Sequence, residues 1–244
     1  MSRFFMDAPE WGGEAWLEGD EARHLGQVLR GKPGDRVTVF DGCGRRAGAE
    51  VLEVARGRVR LKLGEAEVSP PLRPQITLAQ AIPKGKMMEL IVQKAVELGV
   101  ATIQPLLTAH TVSRPGAGKT AKWRRVAMEA CKQCGQDQLP EVREPMGIAE
   151  WLDSLGGEPA AGELRAVASL APGARPLRGV LRSAGSPASA VMLVGPEGDF
   201  TPEETGAALE AGFRPASLGR IVLRVETASL FCLSAMRCEF AEDA

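Results

Sequence analysis

Tyrosine is absent from this sequence, and seven Phe and four Trp are its whole aromatic stock. A platform on which several nucleobases stack needs more rings than that, so any nucleic-acid recognition has to rest on shape and phosphate contacts. Only two histidines occur, His24 and His110, and no Gly-x-Ser-x-Gly elbow accompanies them, which removes support for a Ser-His hydrolase. No apolar run approaches the length that spans a bilayer; the longest candidates, such as Ala190 to Val194, have the length of buried strands. The start, Met1-Ser-Arg-Phe-Phe-Met-Asp7, lacks the apolar stretch and cleavage pattern of a secretory signal. The five cysteines are odd in number and scattered, as reduced thiols are, so a cytoplasmic protein is expected. Cys131-x-x-Cys134 falls inside a helical pattern with no second Cys or His pair nearby, which favours helix packing over zinc or redox chemistry, and no metal is expected. Excess charge is missing too: 30 Lys plus Arg stand against 31 Asp plus Glu, a formal net charge of -1. That balance excludes a protein held to nucleic acid by bulk positive charge, because counterion release needs many cations at phosphates.

What is present is an ordinary globular composition, 44% hydrophobic and 25% charged, in 244 residues, enough for one large domain or two modest ones. Residues 14 to 68 read as β-rich with one short helix, Glu21 to Leu29, capped by Asp20. Arg36–Phe40, Ala47–Val54 and Arg58–Leu63 alternate apolar and polar residues between Gly-rich turns, the pattern of a small antiparallel barrel or sheet. Ser69-Pro-Pro-Leu-Arg-Pro74 forbids a helix or a central strand, so domains are expected over 1–70 and 75–244, with 71–74 as linker. Beyond it the rhythm becomes strand then helix: strands at Gln75–Ala81, Ala101–Leu107, Leu164–Leu170 and Ala190–Val194, helices at Lys86–Leu98 and Ala121–Cys134. That alternation predicts an α/β domain with a mostly parallel sheet.

Two motifs are decoys. Ser113-Arg-Pro-Gly-Ala-Gly-Lys-Thr120 sits between a strand and a helix like a phosphate-binding loop, but Ser113 replaces its first glycine and no later strand ends in a magnesium-holding Asp. An exposed basic loop is the simpler reading, with nucleotide hydrolysis kept as an alternative. Gly42-Cys-Gly-Arg-Arg-Ala-Gly48 has dinucleotide-like glycines yet precedes a strand, so it reads as a hairpin turn.

Two further loops are harder to dismiss. Gly195-Pro-Glu-Gly-Asp-Phe200 follows a buried strand and runs into Thr201-Pro-Glu-Glu204, a capping box with Pro at the first helical position. A loop pinned between a rigid strand and a capped helix is where an open α/β sheet places its ligand. Leu218-Gly-Arg-Ile-Val-Leu-Arg-Val-Glu-Thr-Ala228 then enters the apolar helix Ser229 to Phe240, gathering Arg220, Arg224, Glu226 and Thr227 at its start. Taken singly, each loop is also explained as a Gly turn with helix capping.

In this order, together with Arg3-Phe4-Phe5, His24-Leu-Gly-Gln-Val-Leu-Arg30, Gly34-Asp35, Ala81-Ile-Pro-Lys-Gly-Lys-Met-Met-Glu89, Gln93–Val100, Glu129-Ala130 and Gln133, the sequence resembles the bacterial 16S ribosomal RNA uridine-N3 methyltransferases of the SPOUT superfamily. The resemblance covers most of the chain. It departs at Asp199, where the family has a second glycine, at Thr108-Ala-His-Thr-Val112, where Ser-Glu-Arg-Ser-Val is usual, and at Cys134-Gly-Gln-Asp137, where an Arg is common.

The resemblance implies a PUA-like β-barrel followed by a trefoil-knotted α/β domain, a two-fold homodimer, and S-adenosylmethionine bound mainly through backbone groups. By it, Leu193, Val194, Gly195, Glu197, Gly198, Leu218, Gly219, Ile221, Leu223 and Thr227 are expected around the cofactor. Arg224 is expected to stabilise charge on the uracil ring as its N3 proton leaves, with Glu226 holding that Arg or accepting the proton. Contacts to 16S ribosomal RNA, within the small subunit, are expected from Arg3, Arg23, Arg30, Lys84, Lys86, Arg114, Lys119, Arg124 and Arg220. Local charge agrees: between Lys84 and Lys132 nine basic residues face three acidic, while Asp137 to Arg165 holds seven acidic and two basic. A non-catalytic RNA-binding assembly factor of the same fold remains the alternative from another class.

Overall fold

The computed structural model describes residues 2–7, 9–112 and 114–241. The chain divides into two compact units, Met1–Pro71 with Met128–Leu139, and Leu72–Ala127 with Pro140–Ala244.

The first unit holds β1 (Arg3–Phe5), β2 (Glu14–Glu18), α1 (Gly19–Arg23), a π-helical turn (His24–Val28), β3 (Arg36–Phe40), β4 (Arg45–Ala55), β5 (Arg58–Leu63) and β6 (Glu67–Val68). They form one sheet in the order β1-β3-β4-β5-β2, with β6 on β4. All its pairs are antiparallel except β1 with β3, and β1 is too short to register as alternation in the sequence. The inward residues, among them Phe4, Leu17, Val39, Val51 and Leu61, are almost completely buried and form its core. The helix expected over 21–29 is different in form. It starts at Gly19, Glu18 takes the capping position without a side-chain bond, and Asp20 sits in the first turn. From His24 the ladder widens, with Leu29 N–H donating to the His24 carbonyl at 2.9 Å. That wide turn brings Gly26 against β4, where an added Cβ would lie 3.2 Å from Val54 Cγ1.

The β3–β4 connection, the glycine-rich decoy, is organised by Asp41. Its carboxylate accepts the N–H groups of Cys43 (2.8 Å) and Arg45 (3.0 Å) and pairs with the Arg45 guanidinium at 2.7 Å. Burial acts to raise its pKa, but those donors together outweigh it and hold the group below its ordinary 3.8. The ionised form is therefore favoured by folding, and its contribution is complete above the ordinary value and lost as pH falls through the lower folded one. Asp41→Asn is expected to cost about 2 kcal/mol in denaturant melts. The gap to wild type should be constant from about pH 7 to 5 and shrink below about pH 4.

The second unit contains β7 (Gln75–Ala81), α2 (Met87–Glu97), β8 (Thr102–Leu107), α3 (Lys119–Cys134, counted with the first unit from Met128), β9 (Glu141–Val142), β10 (Met146–Gly147), α4 (Ile148–Ser154) and β11 (Glu163–Ala168). It continues with β12 (Arg175–Pro176), α5 (Leu177–Arg182), β13 (Ser189–Val194), α6 (Pro202–Glu210), β14 (Arg214–Ser217) and α7 (Val225–Phe240). The sheet order is β10-β8-β7-β13-β11-β14-β12, with β9 on β8, and the pairs are parallel throughout. Strands buried on both faces read as continuous apolar runs, as Ala190-Val-Met-Leu-Val194 does. On α3, Trp123, Ala127, Ala130 and Cys131 are buried while Cys134 is exposed, so the two cysteines do not share an environment. Burial pushes the Cys131 thiol up to about 12, a packing group rather than a thiolate. Among the described residues no helix is long and apolar enough to cross a membrane.

Candidate functional site

Because β7, β13, β11 and β14 are adjacent and parallel, their carboxyl ends open on one edge of the sheet, the position where α/β sheets bind ligands. The residues that follow all four strands line one cavity of about 640 Å³: Lys84 and Met87 after β7, Gly195, Glu197 and Asp199 after β13, Ser169 and Leu170 after β11, and Leu218, Gly219 and Ile221 to Leu223 after β14. Its volume falls in the range of small-molecule sites, and its walls are mainly apolar with a few charged groups.

The loop after β13 is tightly held. Its capping box is complete: Glu204 N–H donates to Thr201 Oγ1 at 3.2 Å, and Thr201 N–H to Glu204 Oε2 at 3.0 Å. Glu197 Oε1 accepts the Lys84 N–H at 2.9 Å, tying this loop to the one after β7. Asp199 adopts φ 59°, and its Oδ1 accepts the N–H of Phe200 at 2.8 Å. At Gly195 an added Cβ would lie 3.2 Å from both Asp199 Oδ1 and the Phe200 ring, so a larger residue would displace this wall.

The loop after β14 is built the opposite way. Gly219 has φ 119°, and from Arg220 to Leu223 no backbone N–H or C=O is hydrogen-bonded among the described residues. Backbone groups left open on a cavity wall are a donor and acceptor set for a ligand. Ile221 and Val222 are 79% and 72% exposed. Helix α7 starts at Val225, four residues before the sequence reading placed it, with Arg224 at its cap in extended conformation. The helix start is fixed from below, where the buried Ser229 hydroxyl donates to Gln80 Oε1 of β7 at 2.5 Å.

Of the residues expected around a cofactor, Val194, Gly195, Glu197, Leu218, Gly219, Ile221 and Leu223 line the cavity. Leu193 is fully buried in the sheet, Gly198 lies against the His110 ring, and Thr227 is exposed in the first turns of α7, outside the lining. Thr227 does not cap α7, since the cap is Arg224. Arg224 and Glu226 both line the cavity, and no ion pair joins them among the described residues. The sequence reading missed Ser169, Leu170 and Met87; the rule that ligands gather at strand ends was the signal available for the first two.

The expected RNA-contacting cations divide. Arg3 is turned inward and paired with Asp137 at 2.5 Å, and Arg124 pairs with Glu144 at 3.1 Å. Arg23, Arg30, Lys84, Lys86, Arg114, Lys119 and Arg220 have no ion-pair partner among the described residues, and Arg30 sits at φ 55°. Lys94, Lys122 and Lys132 are likewise paired, to Glu97, Glu89 and Glu21, so the excess of basic residues is smaller in space than in sequence. The Lys122 ammonium, hydrogen-bonded to Glu89, holds that carboxyl below its ordinary value. In the phosphate-loop decoy, Ser113 lies outside the described residues, and the Thr120 hydroxyl that would serve a magnesium ion donates to Glu144 Oε2 at 2.6 Å.

Comparison with known proteins agrees with this geometry. Residues 70–237 match the model of an RNA methyltransferase domain, and residues 17–64 that of an RNA methyltransferase PUA domain. The chain is 34% identical over 215 residues to a ribosomal RNA small subunit methyltransferase E from Synechocystis, covering 88% of this chain and 69% of that one. A ribosomal RNA small subunit methyltransferase E from Neisseria gonorrhoeae, solved bound to S-adenosyl methionine, superposes with a TM-score of 0.87 at 32% identity, covering 98% of this chain and 97% of that one. A putative methyltransferase from Legionella pneumophila, solved with bound cofactor SAM, gives 0.84 at 31% identity, covering 97% and 96%.

Proposed function

The chain belongs to the RNA methyltransferase family, its methyltransferase domain preceded by that family's PUA domain, and from that membership we propose that it methylates 16S ribosomal RNA from S-adenosylmethionine, at N3 of a uridine. The observation that carries the reading is the cavity at the four strand ends, walled on one side by the unpaired backbone of Ile221 to Leu223. Its chemistry fits the cofactor. Open N–H and C=O groups match the edge of an adenine, Leu170, Ile221 and Leu223 match its faces, and Glu197 and Asp199 match cationic groups. S-adenosylmethionine, when bound, supplies a methyl group made electrophilic by a sulfonium.

The chain's own residues orient and charge-balance the acceptor. As the N3 proton leaves, negative charge spreads to O2 and O4 of uracil, and the Arg224 guanidinium, free of an ion pair, stabilises it. Glu226, also free of an ion pair with Arg224, accepts the proton. Lys84, Lys86, Lys119 and Arg220 contact phosphates, joined by Arg23 and Arg30 of the first unit. The exposed Ile221, Val222 and Phe231 support a homodimer, and the knotted threading of the second unit follows from the SPOUT reading. The proposed substrate is a small ribosomal subunit, and the place of action the cytoplasm.

Calorimetric titration with S-adenosylmethionine and with ATP tests the reading, followed by methyl transfer to undermethylated small subunits and nucleoside analysis. Binding of S-adenosylmethionine and formation of 3-methyluridine are expected. Binding of ATP alone overturns it, binding of neither points to an assembly factor, and a methyl group on another atom refutes the N3 assignment.

A further inference from the structure

Two loops meet at the edge of the cavity, where the His110 ring reaches the backbone of Asp199. His110, between β8 and α3, places Nδ1 2.7 Å from the backbone carbonyl oxygen of Asp199. A carbonyl only accepts, so the imidazole carries its proton on Nδ1 and donates it. One residue earlier, the Ala109 N–H donates at 2.8 Å to Glu204 Oε1, the carboxylate whose other oxygen closes the capping box of α6. The His110 ring also fills the space beside Gly198, where an added Cβ would lie 3.1 Å from its Cγ. The carbonyl it holds belongs to a strained position: Asp199 has φ 59°, a left-handed conformation that residues with a Cβ adopt at a cost. Both residues are departures from the family pattern noted above, and the fold brings them into contact across 89 positions of sequence.

We propose that His110 is a positioning residue for the loop after β13: its hydrogen bond holds the left-handed turn at Asp199 and so keeps Gly195 and Glu197 on the cavity wall. Glycine adopts φ 59° without strain, so a chain with glycine at 199 needs no such brace. The two residues are then one unit, and their effects are non-additive. This inference rests on the reading of the cavity as the S-adenosylmethionine site.

The test uses the full chain with His110→Ala, His110→Asn, Asp199→Gly and the double variant His110→Ala with Asp199→Gly. Asn keeps an N–H donor near the Nδ1 position. In protein without ligand, the Asp199 amide, bonded to the Pro196 carbonyl at 3.0 Å, reports on the turn by hydrogen exchange. His110→Ala is expected to speed that exchange about fivefold and to weaken S-adenosylmethionine binding about fivefold, the effect of one lost hydrogen bond. His110→Asn restores both, and in the Asp199→Gly background the loss shrinks. Unchanged exchange in His110→Ala, an equal loss in both backgrounds, or a wild-type Kd in His110→Ala overturns the proposal. Exchange that responds as expected in a wild-type protein that binds no S-adenosylmethionine leaves the brace standing and sinks the cofactor reading; wild-type binding with unresponsive exchange does the reverse.

Discussion

Arg224→Ala is expected to lower the single-turnover rate of methyl transfer by about 10² to 10³-fold, the usual cost of removing one donor aimed at developing charge, with the Kd for S-adenosylmethionine within about twofold. The side chain stands at the cap of α7 beside the cavity and forms no ion pair among the described residues, so its charge is available to the acceptor. The first N–H groups of the 16-residue α7 add positive potential at the same place. In the ground state uracil is neutral and gains little from either. In the transition state its ring oxygens carry charge, and a guanidinium aimed at them is worth far more there. Folding should be untouched, because the Arg224 backbone carbonyl, which accepts the Ala228 N–H at 2.8 Å, is present in the variant. Arg224→Lys keeps the charge and loses the planar fork, and an intermediate loss of about tenfold is expected. Single-turnover assays on undermethylated small subunits at saturating cofactor measure this. A near wild-type rate for Arg224→Ala removes the residue from the chemistry, and a Kd raised in proportion to the lost rate makes it a cofactor ligand instead.

What could be read in the sequence was local. The capping box of α6 needs only Thr201 and Glu204, three residues apart, and with the apolar strand before it the ligand loop stood out. The strand-helix alternation of the second unit was legible for the same reason, since periodicity is carried within each element. The misreadings have identifiable causes. Strand β14 went unread because Pro215 within four residues argues against a strand, yet the parallel sheet accommodates it beside β11 and β12. The start of α7 was set late because Arg224, Glu226 and Thr227 look like a polar loop, whereas in the structure the last two form an acidic and hydroxyl-bearing first turn.

The partners of the site were illegible because they are distant in sequence. Nothing near Gln80 announces that its amide oxygen anchors Ser229, 149 residues later, nor that Lys84 N–H meets Glu197 across 113. Ionic partners hid the same way. Arg3 looked like a surface cation, but Asp137, 134 residues on, takes its guanidinium, and the Ser69 hydroxyl gives that carboxylate a second bond at 2.7 Å. A count of charges along a segment therefore overstates the free positive surface, and only the cations left without a carboxylate are candidates for phosphate.

The same α7 that presents Arg224 at its start carries, near its end, the side chain expected to matter most for stability. Arg237 Nε donates to the Leu98 carbonyl at 3.1 Å, Nη1 to those of Arg73 and Pro74 at 3.2 Å each, and Nη2 to that of Gly99. Two of these acceptors close the end of α2, whose last carbonyls have no partner within the helix. Burial lowers the pKa of this guanidinium from its ordinary value, yet the group stays charged at neutral pH. Arg237→Ala strands four acceptors at once, and at about 1 kcal/mol for each lost bond the expected destabilisation is about 3 to 4 kcal/mol. For a chain of this size that lowers Tm by about 10 °C. Arg182 and Glu239 provide the contrast: their ion pair at 3.3 Å is exposed on the Arg side, and Glu239→Gln should cost less than about 0.5 kcal/mol. Arg237→Lys keeps one charge but cannot reach four carbonyls in a fixed fork, so a loss between the two is expected. Because Arg237 lies 13 residues beyond Arg224, about 20 Å along the helix, the defect lies away from the Arg224 end of the cavity, and the Arg237→Ala protein should bind S-adenosylmethionine normally below its melting transition. Thermal melts with and without cofactor, beside calorimetry at low temperature, separate the two: a loss of affinity in the folded variant would mean that the end of α7 shapes the cavity as well as the fold.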